Sequence, residues 1–339
     1  MATREITFRE AINEAIRQEM RLDPTVILMG EDVAGGAATF VEEAGEEAWG
    51  GVLGVTKGLG REFGRSRVLD TPISESAFIG AAVGAASTGL RPVAELMFVG
   101  FLGVCLDQIY NQGGKLRYMF GGKAQVPLTV RTLIGAGFRA AAQHSQSVYS
   151  VFTHMPGLKT VVPSTPFNAK GLLAASIRDN DPVIFFEHIA LLDMAGPVPE
   201  EEYIIPLGQA EIVKEGKDAT IVAIGRMRHM AIQAAADLAA DGIDVELIDP
   251  LTLSPLDEEK ILESVKKTHR LIVVDEDTPR CSVANDIVAL AAQKAFAYLD
   301  APPRAVTAPH ASVPFSPPLE DAYIPSPAKI AAAVRASVG

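Results

Sequence analysis

The chain has 339 residues, 48% of them apolar and 21% charged, and a net charge of -12. That is long enough for two domains with real cores and too apolar for a disordered chain. The acidic balance argues against nucleic acid and anionic membranes as partners, while leaving room for a phosphate held by backbone N–H groups or by another chain.

Thr7-Phe8-Arg9-Glu10 reads as a capping box that opens a helix to about Met20, and Asp23-Pro24 ends it. Val26 to Met29 is a short buried strand. Residues 33–63 are Gly-rich, hold the single Trp (Trp49) and show little regular pattern, as functional or mobile loops do. Strand and helix patterns then alternate: strand Arg67–Asp70, helix Phe78–Leu90, strand Pro92–Met97, helix Gly103–Met119 and strand Val126–Thr132. A loop over 133–147 follows, then strand Lys159–Val162, helix Pro166–Arg178 and strand Pro182–Glu187. Such alternation predicts a mostly parallel α/β sheet covered on both faces.

His188 to Pro206 breaks the pattern and reads as a linker, which sets domains at 1–187 and 207–339. In the second domain the predicted strands are Ala219–Ile224, Asp244–Ile248, Leu271–Asp275 and Arg304–Thr307. Its predicted helices are Met230–Asp241, Asp257–Lys267, Val283–Leu299 and Ala328–Val338. The Pro-rich stretch 308–327 reads as extended chain on the surface. No run has the length of a membrane span, and residues 1–10 mix charges of both signs, unlike a signal peptide. A cytoplasmic protein is expected. Cys105 and Cys281 lie in apolar, helix-like surroundings and read as two buried, reduced thiols.

The most informative stretch is Leu69-Asp70-Thr71-Pro72-Ile73-Ser74-Glu75. Pro72 stops a strand, Ser74 can cap the next helix by accepting an N–H, and Glu75 is delivered at a strand-to-helix junction. The helix that follows, Ile79-Gly80-Ala81-Ala82-Val83-Gly84-Ala85-Ala86, carries little side-chain bulk and can pack closely. Taken alone, Glu75 reads first as an ordinary helix-start carboxylate favoured by the macrodipole. Phe101 follows a strand's carboxyl end, where it can stack on a flat heterocycle or simply pack with Phe98. His144 stands among Gln143, Ser145 and Gln146, a polar setting that suits proton transfer near neutrality. The other histidines have no comparable setting and read as structural. At Ile177-Arg178-Asp179-Asn180-Asp181 a helix ends just before a strand. Free carbonyls plus carboxylates there suit a monovalent cation, or make an ordinary turn.

The Thr71–Glu75 stretch resembles the beta subunit of the thiamine-diphosphate-dependent first component of acetoin and 2-oxoacid dehydrogenase complexes. The likeness extends through Arg91-Pro92-Val93-Ala94-Glu95, Ala141-Ala142-Gln143-His144-Ser145-Gln146, Pro156-Gly157-Leu158-Lys159 and the 177–182 bend. It implies a pyrimidine-binding domain followed by a transketolase C-terminal-like domain. It implies that Glu75 bonds the aminopyrimidine ring, that Phe101 packs on that ring with Ile73 and Met97 as walls, and that His144 serves the substrate oxygen or the lipoyl acceptor. It implies a potassium ion at Ile177, Asp179 and Asp181, although close relatives have Asn at the last position.

The family's full site also needs a Gly-Asp-Gly motif with a later Asn, to hold Mg2+ and the diphosphate. Gly-Asp-Gly occurs nowhere in this sequence. The chain therefore carries the pyrimidine half of a site, and an alpha subunit is expected to bring the other half in an assembly of two alpha and two beta chains. A lipoyl-bearing acyltransferase component is the further partner. The segments Gly30–Gly36 and Ala48–Leu59 resemble the acetoin type, with pyruvate and branched-chain 2-oxoacids as alternatives. A non-catalytic scaffold would lack Glu75, Phe101 or His144. A nucleotide-binding protein would need a phosphate-cradling Gly loop after its first strand, which Gly30-Glu31-Asp32 is not.

Overall fold

A computed structural model of the chain describes residues 3–35 and 49–339. The middle of the Gly-rich stretch, and with it parts of the two acetoin-type segments, lies outside the described residues. The chain forms two compact units. The first comprises Met1–Leu133, Val151–Glu187 and Leu191–Leu207; the second comprises Ile134–Ser150, His188–Ala190 and Gly208–Gly339.

The first unit opens with β1 (Thr3–Thr7) and α1 (Phe8–Leu22), joined by the expected capping box between Thr7 and Glu10. α1 buries Phe8, Ile12, Ile16 and Met20, one every turn. Next come β2 (Val26–Gly30), α2 (Leu59–Phe63), β3 (Val68–Asp70), α3 (Glu75–Ser87) and β4 (Arg91–Phe98). After α4 (Leu102–Asp107) and α5 (Gly114–Met119) the chain runs through β5 (Thr129–Ile134), α6 (Tyr149–Thr153), β6 (Lys159–Val161), α7 (Pro166–Arg178), β7 (Val183–His188) and β8 (Ala195–Pro199). Six strands stand in the order β6-β7-β5-β4-β2-β3, and the pairings β3–β2–β4–β5 and β6–β7 are parallel. β2, β5 and β7 are buried along their whole length, as a parallel sheet covered on both faces requires. β8 pairs antiparallel with β1, so the segment read as a linker carries a strand of this unit. α1 and α7 are tied by ion pairs, Lys170 to Glu14 and Arg178 to Glu19, and the Lys170 ammonium also reaches three backbone carbonyls.

The second unit holds β9 (Glu211–Lys214), β10 (Ala219–Ala223), α8 (Met227–Ala240), β11 (Val245–Asp249), the short β12 (Thr252–Ser254), α9 (Glu258–Thr268), β13 (Leu271–Val274), α10 (Val283–Lys294), β14 (Arg304–Val306), α11 (Pro317–Tyr323) and α12 (Pro327–Val338). Its sheet runs β14-β13-β10-β11-β9, parallel except for the antiparallel edge strand β9. Ile221, Leu247, Ile272 and Val274 form its core with Leu238 of α8 and Ile330 and Val334 of α12. No helix among the described residues is long and apolar enough to cross a membrane.

Other local expectations also differ from the structure. The helix expected over 103–119 is broken: Cys105 leaves helical geometry, and a π-helical turn at Gln108–Gly113 separates α4 from α5. α2 gives the Gly-rich stretch a helix where none was expected. The Pro-rich stretch 308–327 contains α11, whose Glu320 is fully buried because it accepts the Gly137 N–H and an Arg139 N–H. Cys281 is exposed in a left-handed turn, so only Cys105 is a buried thiol.

Candidate functional site

β2, β3 and β4 end side by side, Gly30 opposite both Asp70 and Glu95. The carboxyl edge of the first unit's sheet is therefore acidic. Asp70 accepts the Ala34 N–H at 2.6 Å, and burial pushes its carboxyl above the ordinary range. Glu31 is raised too, by burial first and then by the charges of Asp32, Glu75 and Glu95. Glu95 is held from the other side by Arg131, at 2.9 Å, and this fully buried guanidinium also grips Glu187 through two N–H groups.

Glu75 is the first residue of α3 and half-buried. The helix starts three residues earlier than the apolar pattern implied, so Glu75 sits in its first turn, where the backbone N–H dipoles favour an anion. Ser74 is the N-cap residue but does not accept a backbone N–H, contrary to expectation; its hydroxyl donates to the Pro72 carbonyl at 3.1 Å. The thin helix does pack closely, since a Cβ on Gly80 would stand 3.3 Å from Gln108 in the π-helical turn. Met97 lies on β4 and is half-buried. Phe101 packs edge-on against Phe98, with ring centroids 6.0 Å apart, and is half-buried. Ile73 is 76% exposed. Glu75, Ile73, Met97 and Phe101 thus all belong to the first unit.

His144 belongs to the second unit. It is half-buried on a loop in which Arg139 and Ala141 adopt left-handed backbone. The hydroxyls of its neighbours Ser145 and Ser147 are buried without a hydrogen-bond partner. Both line a cavity of about 590 Å³ whose floor includes Glu276 and Asp277. At the entry to this loop Gly135 has left-handed backbone, and any side chain there would strike the His188 ring.

Sequence reasoning did not single out the carboxylates at the end of β13. Asp275, Glu276 and Asp277 follow a parallel strand's carboxyl end, and that position was the signal available. Glu276 accepts the Ala136 N–H at 2.5 Å and lies 3.1 Å from His188 Nε2, while the Ala190 N–H donates to Nδ1. Burial pushes the Glu276 carboxyl up, but His188 and Arg226 hold it below its ordinary value. Asp275 accepts the Tyr149 hydroxyl, and Asp277 that of Ser150. Burial pushes Asp275 up to about 6; burial and then the Asp275 charge push Asp277 up to about 7. The folded chain therefore keeps protons that the unfolded chain has released. The stability they carry is full below about pH 4 and is lost as pH rises through about 7. Between pH 5 and pH 8 Asp277→Asn should remove the larger part of this loss, roughly 3 kcal/mol. Thermal melts from pH 5 to pH 8 check it: the wild-type curve falls more steeply than that of the variant.

The potassium residues also come together, at the end of α7. Their oxygens are met by basic side chains of the same chain: Arg91 on the Ile177 and Asp179 carbonyls, Lys159 on Asp179 and Arg117 on Asp181.

Residues 4–194 match the model of the transketolase pyrimidine binding domain, and residues 208–330 that of the transketolase C-terminal domain. The chain is 62% identical over 327 residues to the acetoin:2,6-dichlorophenolindophenol oxidoreductase subunit beta of Bacillus subtilis, covering 96% of this chain and 95% of that one. The chain belongs to the transketolase-like beta-subunit family of acetoin and 2-oxoacid dehydrogenases. A pyruvate dehydrogenase E1 component subunit beta from Rhizobium meliloti is 44% identical, covering 99% of this chain and 70% of that one. Among solved structures, a split-gene transketolase described as an inactive beta4 tetramer aligns with a TM-score of 0.77 at 20% identity, over 98% of each chain. That likeness concerns the fold alone. As a beta-subunit family member, the chain has both transketolase-type domains expected from its sequence, each a mostly parallel sheet flanked by helices.

Proposed function

We propose that this chain is the beta subunit of a thiamine-diphosphate-dependent acetoin dehydrogenase first component, active in the cytoplasm together with an alpha subunit. The enzyme cleaves acetoin and hands the two-carbon unit to a lipoyl group on an acyltransferase component. The observation that carries this reading is Glu75, held half-buried in the first turn of a thin helix at the carboxyl edge of the sheet. The chain's residues fit one half of the cofactor. Ile73 and the half-buried Phe101 offer apolar surface for a flat ring, and Glu75 supplies a carboxyl group for a ring nitrogen. Bound thiamine diphosphate supplies a carbon nucleophile once a ring proton is removed. The role of Glu75 is to hold a proton at the ring nitrogen, and that of His144 to move one at the substrate or lipoyl side.

The diphosphate and its Mg2+ fall to the alpha subunit, because the sequence contains no Gly-Asp-Gly. Two alpha and two beta chains make the complete enzyme. Potassium forms no part of this reading.

The substrate test is the co-expressed alpha–beta pair assayed on acetoin and on pyruvate with an artificial electron acceptor. Acetoin should be the better substrate. A preference for pyruvate would transfer the same half-site chemistry to a pyruvate dehydrogenase. The split site has its own test. The purified chain alone should show no tight, stoichiometric binding of thiamine diphosphate by calorimetry, because the diphosphate's partners are missing. Tight binding by this chain alone would overturn the division between subunits.

A further inference from the structure

The bend after α7 is crowded with donors. Arg91 Nη1 donates to the carbonyls of Ile177 at 3.2 Å and Asp179 at 2.9 Å, and its Nη2 donates to Asn180 Oδ1 at 2.7 Å. Lys159 Nζ donates to Asp179 Oδ2 at 2.6 Å, and the Asp181 N–H to Asp179 Oδ1 at 2.9 Å. Arg117 donates to Asp181 Oδ1 at 2.6 Å. The Asn180 carbonyl takes the Val126 N–H at 3.1 Å, and the Ser176 carbonyl takes the Asp179 N–H at 3.2 Å. The oxygens a hard cation would seek at this bend are thus already engaged.

The charges agree. The negative end of the 13-residue helix α7, worth about half a charge, and the carboxylates Asp179 and Asp181 face three basic side chains. Arg91 is itself backed by Asp23 at 3.7 Å, on the loop that precedes β2. A metal ion on the same carbonyls would meet the guanidinium with like charge and would have to displace it. A planar guanidinium suits the place because its fork spans two carbonyls and an amide oxygen at once, which a compact ammonium cannot do.

We propose that Arg91 is a built-in substitute for a metal ion at this bend: it caps the C-terminus of α7, fixes its junction with β7 and makes the bend independent of potassium. This does not rest on the acetoin reading, because it concerns stability and not turnover.

The test is thermal melting of the full chain in potassium, sodium and choline chloride at equal ionic strength, about 0.1 M, so that screening is constant. The wild type should melt within about 1 °C in all three, while Arg91→Ala should melt about 4 °C or more lower. Arg91→Lys should fall between the two, and it carries the test if Arg91→Ala does not fold. Crystals soaked in thallium(I), a heavy probe for potassium sites, should show no anomalous peak at the bend. A saturable rise in melting temperature specific to potassium, or a thallium peak on the 177–181 carbonyls, overturns the proposal. So does an Arg91→Ala chain as stable as the wild type.

Discussion

Replacing Glu75 with Gln is expected to lower turnover of the assembled alpha–beta enzyme roughly a thousandfold, within the range for losing one acid–base group. The fold should survive. Glu75 is half-buried in the first turn of α3, and its loss as an anion there costs about 0.3–1 kcal/mol, or a few degrees of melting temperature at most. Gln keeps the size of the side chain and can still hydrogen-bond a ring nitrogen. It cannot hold or release a proton at that atom. Because the defect lies in proton supply, binding of the cofactor by the alpha–beta pair should change little. Exchange of the thiazolium ring proton for deuterium isolates the step, and should slow as much as turnover does. Exchange at the wild-type rate would show that Glu75 is an ordinary helix-start carboxylate.

The alternation that predicted two parallel α/β units was legible because buried parallel strands write themselves as unbroken apolar runs. β2, β7 and β13 are such runs, each followed by a polar break. α9 was legible for another reason. Asp257 accepts the Lys260 N–H, acidic residues fill its first turn and lysines its last, so both ends are marked. The candidate site was marked in the sequence by one junction, Pro72 to Glu75, where a strand stop and a helix start lie three residues apart.

What the sequence hid was set by tertiary contacts. The π-helical turn at Gln108–Gly113 adds one residue to a helical register, which neither composition nor apolar spacing reveals. Ser74 has the right chemistry for a cap, but its hydroxyl turns back to the Pro72 carbonyl. α11 did carry a signal, Ser316 followed by two prolines at the first helical positions, which the Pro-rich composition obscured. The carboxylates at 275–277 carried no signal beyond their place at a strand's end. They are buried because Tyr149, Ser150, His188 and the Ala136 N–H, all distant in sequence, supply their partners.

His144→Ala should leave cofactor activation intact and slow transfer of the two-carbon unit, by roughly a hundredfold. The division follows from the assigned roles: the ring nitrogen belongs to Glu75, and the imidazole to the substrate oxygen or the lipoyl acceptor. Thiazolium proton exchange in the variant should therefore match the wild type while lipoyl acylation falls. A structural histidine would behave differently. The loop around His144 is built on left-handed residues and carries two buried hydroxyls, Ser145 and Ser147, without partners. A side chain that merely propped up this loop would, on removal, lower the melting temperature and leave transfer per folded molecule unchanged. Melts and single-turnover acyl transfer on one preparation separate the two roles. His144→Gln sharpens the comparison, because an amide can fill space and hydrogen-bond but cannot shuttle a proton near neutral pH. If Gln restores the melting temperature and transfer stays slow, His144 acts on the reaction. If Gln restores both, the histidine holds the loop and the proton comes from elsewhere.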